Sequence, residues 1–510
     1  MRVKNIKNTV SVLMGITVLS QVIAFLRESV FAYYFGTSME ADAYVMASQI
    51  PVTLFAIVST AINTVMLPIY TEKKNTVGTH GAKGFLKTAS VLFFGLSVAV
   101  IVLAEIFAVP LVRIFAPSFD AEMLQVTVRY TRLLFPTIVG TFLINVFTVC
   151  FNADNDFFFP SVAALTQSVS IIAIMVICAK TLGTEAAVWG TILGIVANLL
   201  LILLPQRAVF CEKINLRQAW DDLKNVLYKV IPVTIGVGIA EVNRVIDRAV
   251  ASGLDTGSIT ALNYANRLSV VFSSLILSAI SNVSFKRFSE TYARREFRKR
   301  SELLGDYTVL LIAVLLPITI GALLLKTELI EIAFGRGAFD SNSVAQTADV
   351  FFYTAFGIVF IAVREIFSKY FYSSGDTKTP MINAGIGVGI NIVLNLVLSQ
   401  FMGAAGLALA TTISNIVVCI LLFITIVVRE KFLVLAKLGK AVVKLVVAAA
   451  VMLLVLLALN TFVSLENSIL KVVLDLLLGA SVYALALFAI DRQLMRRLFG
   501  LLFERLDAKE

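Results

Sequence analysis

The run VIAFLRESVFAYYFG, Val22 to Gly36, places Arg27 and Glu28 inside an apolar stretch long enough to enter a membrane. An ionised side chain at the centre of a bilayer costs roughly 2.5–3.5 kcal/mol on insertion scales, so such residues face a partner or a water-filled cavity. Others of this kind are Glu105, Arg129 and Arg132; Glu241, Arg244, Asp247 and Arg248; and Arg267, Arg364 and Glu365. Neighbours on a helix point about 100° apart, so Arg27 and Glu28 are expected to satisfy each other poorly and to need other partners. Glu241 and Arg244 lie three apart, as do Arg244 and Asp247, a spacing that also permits a helix face satisfied within itself. Arg267, in NYANRLSV, has no acid within one turn. An arginine so placed suits an anion, because its planar fork matches phosphate oxygens better than a lysine does.

The elements that must position these charges follow from composition. With 59% hydrophobic and 15% charged residues and a mean hydropathy of +0.91, the chain is excluded from the soluble classes. Windows of about 20 residues find apolar segments near 9–35, 41–70, 85–115, 124–151, 158–180, 185–210, 226–252, 258–285, 303–325, 344–371, 380–401, 404–428, 441–459 and 469–490. Fourteen transmembrane helices are therefore expected in an all-α polytopic protein. Lysine and arginine concentrate in alternate connections, around Lys73–Lys87, Arg207–Lys229, Lys286–Arg300 and Arg429–Lys440. Because such charge stays on the cytoplasmic side, both termini are expected in the cytoplasm. The basic loops need no nucleic-acid reading, since no stacking aromatics or binding motif accompany them; contact with anionic lipid is their simpler role. The first segment reads as an uncleaved anchor. Cys150, Cys178, Cys211 and Cys419 lack the close spacing of a disulfide or zinc site.

One internal repeat is visible. FNADNDFFFP from Phe151 and FYSSGDTKTP from Phe371 share F-x4-D-x3-P at an offset of 220 residues, and at the same offset Ala41 and Tyr44 meet Ala261 and Tyr264. The expected organisation is an N-terminal lobe over 1–215, a C-terminal lobe over 216–432, and two further helices with a basic amphipathic tail over 433–510. Each lobe holds six helices, so the lobes run parallel.

The stretches FLRESVFAYYFGTSMEADAYVMASQIP, FNADNDFFFP, NYANRL and FYSSGDTKTPMINAGIGVGINIVLNLVL resemble the MurJ-type (MviN) lipid II flippases of the multidrug/oligosaccharidyl-lipid/polysaccharide (MOP) exporter superfamily, over nearly the whole chain. The resemblance implies two six-helix lobes around a central cavity with alternating access. It also implies a groove on the last two helices for a polyprenyl tail, in a bacterial inner-membrane protein serving peptidoglycan synthesis, cell-wall biogenesis and cell shape. Carried over by position, Arg27 and Arg267 match two arginines used for pyrophosphate, and Asp42 matches an acid near the mouth of the second helix. Glu28 tempers the site or forms a salt bridge across it. Gln21, Phe55, Ala56 and Val270 stand where the family pattern has charged residues, so the cavity is less cationic, with Arg244 and Arg248 as candidate substitutes. Another polyprenyl-linked saccharide is accordingly an alternative substrate.

The resemblance also carries over a candidate Na⁺ site of Asp247, Asn391, Asn395 and Thr411, whose oxygens suit a hard cation. The same amides and hydroxyl would equally serve as hydrogen bonds between helices. The substrate is a lipid-linked saccharide, with membrane lipid and cell-wall synthesis proteins as partners, and coupling is to Na⁺ or membrane potential with no organic cofactor. Enzyme chemistry finds little material here: the one histidine, His80, lies in a basic loop, without the clustered acids or histidines that acid–base or metal catalysis requires. A drug or cation antiporter of the same superfamily is a further alternative, disfavoured because it calls for an acid-dominated cavity. A sealed scaffold is disfavoured by Arg27, Glu28 and Arg267. The GIGVG run at Gly385–Gly389 sits within a helix pattern and reads as close packing.

Overall fold

A computed structural model of the chain describes residues 6–61, 66–211, 238, 241–429, 435–462 and 467–503. Among them are α-helices and one 3₁₀ segment, with no strand. The first helices are α1 (Ile6–Phe35), α2 (Met39–Ala61), α3 (Leu67–Thr76), α4 (Gly78–Ile106), α5 (Ala108–Phe115), α6 (Ala121–Leu134), α7 (Thr137–Ala153), α8 (Phe158–Leu182) and α9 (Glu185–Leu203). Helical residues 241–251 form α10. There follow α11 (Ser258–Ala293), α12 (Phe297–Leu324), α13 (Lys326–Phe334), α14 (Ser341–Phe356), α15 (Ile358–Tyr372), α16 (Lys378–Arg429), α17 (Leu435–Phe462), α18 (Ser468–Ile490) and α19 (Arg492–Phe503).

Ten of the described helical stretches are long and apolar enough to cross a membrane, or eleven with the bent α11. The difference from fourteen has physical sources. The element α16 is two helices joined at a kink at Gly403, whose φ 55° and ψ −133° leave the helical region, so the segments expected at 380–401 and 404–428 are both present and count as one stretch. The segments expected at 41–70 and 226–252 run into 62–65 and 226–237, outside the described residues, as do the expected lobe boundaries at 215 and 432. The segment expected at 124–151 is present as one span over Ala121–Ala153, divided into α6 and α7 at Pro136, which lacks the N–H that would continue the ladder.

Two compact units contain these helices, one of residues 1–263 with 336–340, the other of 264–335 with 341–510. In the first, α1 packs on α8, α2 on α6, α4 on α7 and α8 on α9. Gly190 and Gly194 lie over the α8 backbone, where an added Cβ would sit 2.8 Å from the Cα of Ile171 or Gln167. Small residues four apart thus let two helices approach without a hydrophobic driving force, the usual device in lipid. Phe142 fills the centre against Phe93 and Phe55 at 4.9 and 5.8 Å. In the second unit α15 and α14 pack on α16, and α12 packs on both α15 and α17. Outward faces are apolar, as at Ile177, Phe401 and Leu485, which lipid tolerates and water does not.

Element boundaries repeat at the offset the sequence motif announces. Helix α6 begins at 121 and α14 at 341, while α8 spans 158–182 and the first half of α16 spans 378–402. Backbone conformation repeats too. Gly183 has φ 56° and ψ −141°, and Gly403 has φ 55° and ψ −133°. Asn155 and Gly375 share positive φ, 57° and 78°, a conformation available mainly to glycine and asparagine.

Candidate substrate and ion sites

Arg27 and Glu28 do pair, contrary to the expectation from helix geometry. Nη2 of Arg27 lies 2.6 Å from Oε1 of Glu28. The backbone sets only the Cβ directions, and the long guanidinium stem swings across the difference. Glu28 is also held from elsewhere: its Oε2 accepts from Nδ2 of Asn263 at 3.1 Å. Asn263 opens the NYANRL stretch and was not legible as a partner, since 235 residues separate the two. Among the described residues Arg27 donates to Glu28 alone. Its other N–H groups, from an inventory of five, have no acceptor among the described residues.

Asp42 is 2% exposed. Its carboxylate accepts from the backbone N–H of Gly257 at 2.6 Å and of Thr260 at 2.7 Å, and from the Thr260 hydroxyl. The acid thereby caps the start of α11, satisfying donors that a helix leaves open at its first turn. Tyr44, two residues on, bonds to Thr191 of α9 at 3.0 Å and packs its ring 5.0 Å from Phe31.

The charges of α10 are arranged largely along the helix itself. Arg244 pairs with the buried Glu241, Asn243 donates to Asp247 at 3.2 Å, and Arg248 has Asp247 and Asp42 as charged neighbours. The face is satisfied within itself only in part, since the second carboxylate oxygen of Glu241 is buried without a hydrogen-bond partner among the described residues and Arg248 looks also to Asp42 of α2. Arg129 pairs with Glu185 at 2.6 Å and Arg132 with Glu105 at 3.6 Å, so those charges join α6 to α9 and α4.

In the second unit Arg267 is exposed on α11. Asn391 and Asn395 are buried on α16, linked by Nδ2 of Asn395 to Oδ1 of Asn391 at 3.1 Å. Asn391 reaches the Thr411 hydroxyl at 3.3 Å. These three residues offer neutral oxygens in one cluster, a donor set that suits a hard monovalent cation once a carboxylate supplies charge. No group of three or more His, Cys, Asp or Glu placed to hold a metal occurs among the described residues.

These charges sit on an all-α set of long apolar helices, and that fold has solved counterparts among membrane exporters. An inward-facing multidrug resistance MATE family transporter of the MOP superfamily superposes with a TM-score of 0.68 at 15% identity, over 82% of this chain and 96% of that one. The chain belongs to the lipid II flippase MurJ family, whose model matches residues 31–477. A probable lipid II flippase MurJ of Thermotoga maritima is 30% identical, over 88% of this chain and 89% of that protein. The lipid II flippase MurJ of Burkholderia cenocepacia is 29% identical, over 80% and 81%. A solved lipid II flippase MurJ in an inward closed conformation has a TM-score of 0.81 at 22% identity, over 97% of this chain and 99% of that one. The chain is thus a multi-pass membrane protein of a flippase family.

Proposed function

We propose that this chain moves an undecaprenyl-pyrophosphate-linked saccharide, lipid II first among them, from the inner to the outer leaflet of the bacterial cytoplasmic membrane by alternating access. Movement rather than bond chemistry is its task, and both termini lie in the cytoplasm. The reading rests on Arg27: a guanidinium oriented by Glu28, itself held by Asn263, keeps donors for a pyrophosphate oxygen while the carboxylate limits how tightly an anion is retained. Arg267 is the second proposed anion ligand, with Arg244 and Arg248 as substitutes for the family arginines this chain lacks. Coupling runs through membrane potential or through Na⁺ on Asn391, Asn395, Thr411 and Asp247. The lobes are taken as 1–215 and 216–432, followed by 433–510, and cell-wall synthesis proteins are the expected partners.

A second substrate, another polyprenyl-linked saccharide, is favoured by the uncharged Gln21, Phe55, Ala56 and Val270. The experiment expresses the chain as the only flippase in a bacterium depleted of its own and measures lipid II exposed on the outer leaflet. Wild type restores exposure, and Arg27→Ala reduces it about tenfold or more, the worth of a charge-assisted hydrogen bond, with unchanged protein in the membrane. Full exposure with Arg27→Ala would overturn the role given to this arginine. No rescue by a folded wild type would move the substrate to the second class.

A further inference from the structure

A cavity of about 370 Å³ opens where the first turns of α12 and α17 meet the junction of α18 with α19, apart from the substrate and ion residues assigned above. Val309, Ala441 and Leu498 give it apolar walls, and Lys437, Lys440, Lys444 and Arg497 give it cations. Three acids also line it, and each already has a partner. Asp491 is held by Lys444 at 2.6 Å, Asp306 by Arg497 at 2.6 Å, and Glu302 by Arg298 at 3.4 Å. Lys437 and Lys440 are exposed and have no carboxylate partner among the described residues. They lie three apart on α17, with Lys444 four further along, so all three share one face.

The remaining charge is therefore positive, and the walls are apolar. A small soluble anion would use the lysines and leave the walls wet, whereas a phosphodiester carrying acyl chains uses both. Basic pockets between membrane helices take lipid head groups on these grounds. The helix α19 adds a second argument. Arg492, Arg496 and Arg497 are exposed while Leu494, Met495 and Leu498 are turned in, the pattern of a helix lying in the head-group plane. A helix in that plane would set the mouth of the cavity at the depth of lipid phosphates.

We propose that this cavity binds the phosphate of an anionic membrane phospholipid, with Lys437 and Lys440 as its ligands. The orientation proposed above decides only which leaflet supplies the lipid. Phosphate chemistry is shared with soluble phosphates, so the test separates the two. Full-length protein in nanodiscs of mixed phosphatidylglycerol and phosphatidylcholine is released into detergent, and retained lipid is read by native mass spectrometry. A photoactivatable phosphatidylglycerol maps the position. Wild type is expected to retain phosphatidylglycerol over phosphatidylcholine and to cross-link within 437–444 or 491–498. K437Q/K440Q should weaken retention roughly tenfold or more, given about fivefold per lysine at a membrane surface, and the paired arginine variant should restore it. Equal retention by K437Q/K440Q, or cross-links confined to other helices, would overturn the site. Displacement of the lipid by inorganic phosphate would overturn the lipid as its ligand. Because no flipping is measured, failure of the transport reading leaves this result intact.

Discussion

The two copies of F-x4-D-x3-P fold alike and are anchored differently. In each, the aspartate N–H returns to the phenylalanine carbonyl, Asp156 to Phe151 at 2.8 Å and Asp376 to Phe371 at 3.1 Å. In each, a carboxylate oxygen caps the next helix, Asp156 accepting from Phe159 at 3.2 Å and Asp376 from Thr379 at 3.0 Å. Beyond that they part. Asp376 also takes the Thr379 hydroxyl and Arg429, both at 2.7 Å. The buried Arg300 of α12 donates to the Tyr370 carbonyl at 2.6 Å and lies 3.7 Å over the Tyr370 ring. The first turn has an ion pair of Lys74 with the exposed Asp154 and a stacked Phe151–Phe159 pair. Three shared positions therefore accompany one backbone shape, while the distant cations Arg429 and Arg300 hold the second copy.

This contrast can be broken experimentally. Arg300→Ala should cost most, about 2–3 kcal/mol, because it removes charge-assisted hydrogen bonds and a cation–π contact from a buried position; thermal unfolding in detergent reads it, and Lys should not restore it. Asp376→Asn should come next. Burial alone would raise the Asp376 pKa, but the backbone N–H and hydroxyl of Thr379 and the Arg429 guanidinium outweigh it and hold the group below its ordinary 3.8. A lowered folded value stabilises above the unfolded pKa and is lost as pH falls through the folded one. The melting difference between wild type and Asp376→Asn is thus expected in full at pH 7 and gone well below pH 3.8. The smallest effect belongs to the positive-φ position: Gly375→Ala should cost about 1 kcal/mol and Asn155→Gly a few tenths or less, measured the same way.

Much of this was legible from residue patterns. Hydropathy located the helices because lipid demands apolar length, and the motif offset located the repeat because turn chemistry is local. Asn263 as a partner of Glu28, and Asp42 as the cap of α11, were not legible, since each contact spans more than 200 residues. Arg300 was hidden by its company. It ends a run of cations at Arg294, Arg295, Arg298 and Lys299 that serves topology, and only burial between Tyr370 and Tyr292 distinguishes it. Helix angle does not foretell the pairing of Arg27 with Glu28, because it describes Cβ directions, which short side chains obey and arginine does not.

The cap on α11 has a consequence for how the chain is made. Asp42 and Thr260 are 218 residues apart, so a ribosome adding about 5–20 residues per second leaves that carboxylate without its partners for roughly 10–45 s. Through that interval the entry of α2 carries an acid whose donors do not yet exist. Newly made N-terminal helices must therefore be sheltered at the insertion machinery or keep Asp42 in contact with water. Ribosome-bound chains halted before residue 257 should remain associated with that machinery, and chains halted well after residue 260 should leave it.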